Sequence, residues 1–335
     1  MPDADIGANG AVWVGLETTY GTPSDPSASG TGIWVSIISE TLAYTEPDRY
    51  YSEQIRQEAV NFDAKASYYH VEGDIVMEVD ARYMPYFMTA SRHLTTFATG
   101  TYTSVPGKNG ATYPGSATAK GLSIVTIRDN VPFLYSGCVV NQYAFTIENG
   151  VLRATLSMLG LAEQDTAGAP TPSWSAPDLL GADSHAIYVD TSGLTPAFTT
   201  LDATFNGYTF TVNHNGETQN RITRNRAATY VKYGITEVSY DTELDFVSKT
   251  EYNNFKNLVF RALRFESVNP GGATATWAAA TTGFRISTYK TVYNTYETGL
   301  SGMGDLVMAR VNGRVIGITG GSAYKMECKS PTTLP

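Results

Sequence analysis

The sequence predicts a β-dominated α+β protein: two tandem β-sandwich or half-barrel modules, each with one short helix, behind an N-terminal arm. Three observations lead there. Tyr (22), Gly (31) and abundant Thr and Ser favour strands and turns over long helices. A ten-residue acidic ladder occurs twice, each time ahead of a short helical stretch. Between them, Asn149-Gly150 separates two alternating runs, the signature of a hairpin with a type I′ turn. With 335 residues and 42% hydrophobic content, the chain is long enough for two domains with real cores.

Residues 1–39 read as the arm, with a short apolar strand at Ala11-Val12-Trp13-Val14 and a turn-rich stretch around Pro23, Pro26 and Gly30. Such an arm either reaches to a neighbour, with Trp13 and Tyr20 as contacts, or completes the sheet of its own chain. Module 1 spans 40–165. Its ladder, Val71 to Asp80, puts apolar or small residues at odd positions and Glu72, Asp74, Glu78 and Asp80 among the even ones, so it is a strand with one buried and one acidic face. Asp80 is placed to cap a helix in which Pro85 is tolerated early and Tyr83, Tyr86, Phe87 and Ala90 face the sheet. Residues 95–121, rich in Thr, Gly and Pro, read as a long loop. The hairpin at 137–160 closes the module.

Residues 166–198 read as a linker or crossover, and 199–335 as module 2. There Tyr208, Phe210 and Val212 open a strand. The second ladder sets Val238, Tyr240, Leu244 and Phe246 against Glu237, Asp241, Glu243 and Asp245. Ser248-Lys249-Thr250-Glu251 reads as a capping box before Tyr252, Phe255 and Leu258. Phe284–Val292 and Asp305–Val311 are candidate closing strands, followed by a hairpin at Asn312-Gly313. The repeated order of strand, ladder, capped helix and paired strands points to an internal duplication.

The formal charge of −9 argues against gripping phosphate backbones, which needs Lys and Arg to displace counterions. Cys138 and Cys328, far apart and without CxxC spacing, indicate neither a disulfide framework nor a zinc site. The N-terminus lacks the pattern of a signal peptide, and no apolar run is long enough to span a bilayer, so no membrane binding is expected. His70, His93, His185 and His214 lie in different elements without ligand spacing and read as surface or turn residues. Asp241, Glu243 and Asp245 stand in a row on one strand face, which suits a solvated wall better than a cation cage or a glycosidase pair. No nucleophile, base and oxyanion set assembles, no phosphate-binding loop occurs, and neither enzyme nor cofactor is expected. The one basic cluster, Gln219 to Arg226 with Arg221, Arg224 and Arg226, reads as a solvated loop, a nucleic-acid contact or a contact to the acidic face of another subunit.

Val14-Gly15-Leu16-Glu17-Thr18-Thr19-Tyr20-Gly21-Thr22-Pro23 resembles the opening of tail tube proteins (major tail proteins) of long-tailed, siphovirus-like bacteriophages. The block at 71–90, and Ser136-Gly137-Cys138-Val139-Val140-Asn141 leading to Glu148-Asn149-Gly150 and ending at Gly160, are similar to later blocks of that family. The resemblance implies a structural subunit of the virion tail, assembled in the host cytoplasm. It implies rings stacked into a hollow tube through which double-stranded DNA passes without sequence-specific binding. Two fused modules imply trimeric rings with pseudo-sixfold symmetry, with a hexamer as the alternative. Tape measure, terminator and distal tail proteins are the implied partners. The ladders are expected to face the lumen, where negative charge keeps DNA mobile. The competing function is a receptor-binding or adhesin-like β-sandwich, which shares the Tyr, Thr and Gly-rich composition.

Overall fold

Val151–Gly160 alternates half-exposed and buried residues without a break. Before it, Asn149 and Gly150 both have positive φ, 52° and 76°, so the expected type I′ hairpin forms. Two further hairpins turn the same way, at Thr99-Gly100 (51° and 72°) and Asp129-Asn130 (49° and 61°). The structure, a computed structural model, describes residues 10–334 apart from 25, 27–31, 48–49, 52–63, 92, 107–119, 166–170, 175–177, 200, 203, 223–224, 247–248, 270, 272–274, 299–306, 320 and 332–333.

The first half runs β1 (Ala11–Leu16), β2 (Gly32–Val35), β3 (Ser39–Glu40), β4 (Ala43–Thr45), β5 (Tyr50–Tyr51), β6 (Ala64–Lys65), β7 (His70–Glu78), α1 (Met84–Thr89), β8 (His93–Ala98), β9 (Thr101–Pro106), β10 (Leu122–Arg128), β11 (Val131–Glu148), β12 (Val151–Gly160) and β13 (Ala162–Gln164). The second runs β14 (His185–Thr191), β15 (Phe205–Asn213), β16 (Gly216–Gln219), β17 (Tyr230–Tyr233), β18 (Glu237–Asp245), α2 (Thr250–Lys256), β19 (Arg261–Asn269), β20 (Thr282–Thr298), β21 (Met308–Val315) and β22 (Tyr324–Lys329).

The main sheet is antiparallel. β3 and β4 pair with β7 in one continuous register, followed in space by β12, β11, β15, β18, β21 and the C-terminal part of β20. Behind it, the N-terminal part of β11 pairs with β10 and β13, and that of β20 with β19 and β22. The rear face of the main sheet packs on α1 and the rear strands in a core that joins both halves, including Ile75, Phe87, Phe145, Phe210, Tyr240 and Phe284.

The two long strands have matching irregularities. In β11 Ser136 and Gly137 together face the single Ser123 of β10, and Asn141 bulges against β12. In β20 Tyr289 and Lys290 face β19, and Asn294 bulges against β21, with the same spacing between the two bulges. At the end of each ladder the same backbone bond recurs: Val79 N–H to Leu152 C=O at 2.8 Å, and Phe246 N–H to Val307 C=O at 2.9 Å. Bulges fix where a strand bends from one sheet to another, so both halves bend at the same place.

Several expectations change. β1 lies between β2 and β10 and is buried throughout, its continuous apolar run covered on one face by the main core (Val12, Val14, Leu16) and on the other by a second cluster (Ala11, Trp13). The stretch expected as a linker contains β14, which pairs with β19 as β1 does with β10. The expected loop at 95–121 contains most of the β8–β9 hairpin, whose β9 pairs with β22 and fastens the first half to the second. Asn312 and Gly313 lie inside β21, where Gly313 sits opposite Tyr240.

Helix α1 starts at Met84, four residues after Asp80, whose carboxylate accepts the Arg82 amide at 2.8 Å in the preceding turn. α2 has Lys249 as N-cap without a side-chain cap, and Ser248 lies outside the described residues. Tyr252 and Leu258 are 42% and 60% exposed. Contrary to the surface reading, His93 and His214 are buried on the rear side and meet edge to face at 4.8 Å between centroids.

Candidate functional site

The main sheet leaves one broad face open. β7 presents Glu72, Asp74 and Glu78 there while Val71, Ile75 and Met77 are fully buried behind. β18 presents Glu237, Asp241, Glu243 and Asp245 while Val238, Tyr240 and Leu244 go to the core. The pleat alone produces this division, since alternate side chains take opposite faces.

The second ladder is largely partnered from β21. Arg310 Nε donates to Glu243 Oε1 at 3.0 Å, Asn312 Nδ2 to Asp241 Oδ1 at 2.8 Å, and an Arg314 terminal nitrogen to Glu237 Oε1 at 2.9 Å. The Asn206 amide donates to Asp245. In the first ladder, Glu72 meets the His70 ring at 3.3 Å, and Arg153, opposite Glu78 in register, pairs with Glu148. With Glu148 and Glu297, nine carboxylates share the open face with the guanidinium groups of Arg153, Arg310 and Arg314. Exposed pairs of this kind add little stability. They thin the negative field without reversing it. Among the described residues no three His, Cys, Asp or Glu side chains gather as a metal site.

Asp80 does not belong to this face. It is 1% exposed, ion-paired with Arg82, and accepts the Asp178 amide at 3.0 Å, because the strand ends at Glu78 and the chain turns inward. Trp13, 2% exposed, packs with Val125, Ile127 and Leu134 of its own chain. Tyr20 packs against Val139, Leu161, Val231 and Tyr233. Both side chains thus have neighbours within their own chain. Arg226 reaches Glu46 at 3.2 Å and the Ser67 carbonyl at 2.8 Å, which ties the connection between β16 and β17 to the residues flanking β5 and β6. Arg221 is exposed, its guanidinium 5.0 Å from the Tyr230 ring centroid, and Arg224 lies outside the described residues.

Sequence reasoning missed Arg310, Asn312 and Arg314, although the signal was present: they alternate with Ala309, Val311, Gly313 and Val315, a further period-two run. It also missed Glu17. This carboxylate is fully buried and accepts the Gly21 amide at 2.6 Å, the Gly137 amide at 2.7 Å and the Ser123 hydroxyl at 3.1 Å. The opening block and the Gly137-Cys138 block thus meet around one side chain.

Among the described residues the chain is β-rich, with an open polar wall on a sheet whose two outer strands have one unpaired side each, an arrangement suited to association. The chain belongs to the phage tail tube protein family, whose description matches residues 7–315. Curated proteins gave no match. Membership makes the chain a structural component of the virion tail that assembles with its own copies into the tube and meets other tail proteins.

Proposed function

We propose that three copies form a ring with pseudo-sixfold symmetry and that rings stack helically into the tube of a siphovirus-like tail, with the open face lining the lumen. The observation that carries this is the pair of edges on the main sheet. Among the described residues nothing pairs with the outer side of Ala43–Thr45 at one end or of Tyr293–Thr298 at the other. Open edges pair promiscuously unless they are closed, and a ring closes every one.

The matching bulges support reading the chain as two tandem modules, with β1 and β14 as corresponding strands. The expected arm at 1–39 and linker at 166–198 would then contribute the same element to each module. Each module brings four strands to the main sheet, and eight from each of three copies make a 24-stranded barrel. At strand spacing of ~4.8 Å and ~40° tilt its backbone would be roughly 50 Å across, wide enough for a hydrated DNA duplex. The excess of carboxylates denies DNA the counterion-releasing contacts that would hold it. Tape measure, terminator and distal tail proteins would be the partners at the tube's core and ends, met during assembly in the host cytoplasm.

Replacing Asp74, Glu78, Asp241 and Glu243 with Lys is expected to leave tubes intact in negative-stain micrographs and to slow or stall DNA passage from the assembled tail. Four reversals change the formal charge of a three-copy ring by about +24 and leave five carboxylates against seven cations on each copy's open face, from repulsion to attraction for phosphate there. DNA ejection at the unaltered rate would count heavily against a luminal wall. A chain that stays discrete and channel-free at high concentration would remove the ring itself.

A further inference from the structure

The junction between the two halves of one chain is a template for the junction between two copies. We infer that Tyr293–Thr298 of one copy pairs antiparallel with Ala43–Thr45 of the next in a single register, with Glu297 opposite Ala43, Tyr296 opposite Tyr44 and Thr295 opposite Thr45. This rests on the ring reading above.

Inside the chain, β11 meets β15 with Gln142 opposite Asn213, Tyr143 opposite Val212 and Ala144 opposite Thr211. The bulges align β11 with β20: Ser136-Gly137 answers to Tyr289-Lys290 and Asn141 to Asn294, so Gln142, Tyr143 and Ala144 answer to Thr295, Tyr296 and Glu297. Counting outward through paired neighbours aligns the other edge. Ser157 and Asn312 are the residues opposite Gln142 and Thr295, and Asp74 and Asp241 are opposite those in turn. Thr209 pairs with Asp241, and the register of β3 and β4 on β7 sets Thr41 against Asp74. Val212 therefore answers to Tyr44, Thr211 to Ala43 and Asn213 to Thr45.

Exposure agrees with this correspondence. Tyr143 and Val212 are fully buried at the internal junction, whereas Tyr44, on the same side of its strand as buried Leu42, is 39% exposed. Tyr296 is likewise only partly buried. Each lacks the neighbour that its counterpart has. Beside the Tyr296 edge, the apolar Leu258 and Val259 are also exposed.

The template also specifies pair type. His214 N–H donates to Asn141 C=O at 2.9 Å, so by strict alternation Ala144/Thr211 and Gln142/Asn213 are non-hydrogen-bonded pairs. The corresponding Glu297/Ala43 and Thr295/Thr45 would bring Cα atoms to ~4.5 Å, within the range a disulfide spans. The native Cys138 and Cys328 are fully buried and stay out of reach of oxidant.

The test uses the full chain carrying Ala43→Cys with Glu297→Cys, assembled in reductant, then oxidised and separated without reductant. The comparisons are each single variant and Ser39→Cys with Glu297→Cys, a pair that only a four-residue slip would join. The expected result is covalent dimers and closed trimers, at least tenfold above the slipped pair, and the same products from Thr45→Cys with Thr295→Cys. Rings or tubes that form while both in-register pairs remain monomeric, or while the slipped pair links better, would overturn the register and leave the ring reading standing. Loss of assembly by both in-register pairs in reductant would also overturn it, since these exposed or half-exposed positions should tolerate a thiol. Absence of rings from the unaltered chain would instead remove the ring reading, and the register with it.

Discussion

Replacing Glu17 with Ala is expected to lower stability by about 3 kcal/mol, because it leaves two buried backbone amides and a hydroxyl without their acceptor, each costing ~1–3 kcal/mol with partial relaxation. The amides belong to Gly21 and Gly137. Gly137 has φ +63° in the bulge of β11, so its N–H is aimed by a backbone conformation that few residues adopt. Urea unfolding of the dispersed subunit would measure the loss, and a change below ~1 kcal/mol would mean that water replaces the carboxylate.

The loss should depend on pH. Burial raises the Glu17 carboxyl above its ordinary value, against the pull of the Gly137 and Gly21 amides and the Ser123 hydroxyl. A group raised in the fold contributes stability that is complete below its unfolded value and lost as pH rises through the folded one. The gap between the unaltered chain and Glu17→Ala is therefore widest below about pH 4, the ordinary range for Glu, and narrows towards neutrality. A gap that widened with pH would contradict this sign.

Gly313→Ala is expected to cost about 3 kcal/mol, at the upper end for overpacking a core. A Cβ there would lie 2.1 Å from Tyr240 Cζ and 2.3 Å from its hydroxyl oxygen. Tyr240 is 1% exposed and sits directly opposite on β18, so its ring cannot swing aside without opening the core behind the second ladder. Tyr240→Leu makes room, and the double variant should be more stable than the sum of the two losses allows, a coupling of ~1–3 kcal/mol for touching residues. Additive losses in thermal unfolding would show that the two residues do not oppose each other.

Gly313 also illustrates what a sequence hides. Asn312-Gly313 has the composition of a hairpin turn, and local chemistry alone favours that reading. Its place inside β21 is decided by Tyr240, more than 70 positions earlier, which needs a neighbour without a side chain. The same blindness hid Glu17, whose partners come from the next turn and from β10 and β11. Asp80 looked like a further rung of the ladder because period two continued through it. The strand ends two residues before it, and Arg82 draws the carboxylate inward.

Ladders, the 149–150 hairpin and the β-dominated class were legible because each rests on a period or a dipeptide within about ten residues. Along a strand, period two divides inner from outer residues without reference to anything distant. The sequence by itself therefore determined which residues of the ladders meet water, Asp80 excepted, that the chain is built from strands, and that its net charge is negative. Only the tertiary structure decided that β1 and β14 are built into the rear sheets, that β21 brings arginines to the second ladder, and that Ala43–Thr45 and Tyr293–Thr298 end as the two edges of one sheet. Strand pairing joins residues many tens of positions apart through backbone groups that are the same in every residue, so neither partner nor order is written in the local side-chain pattern.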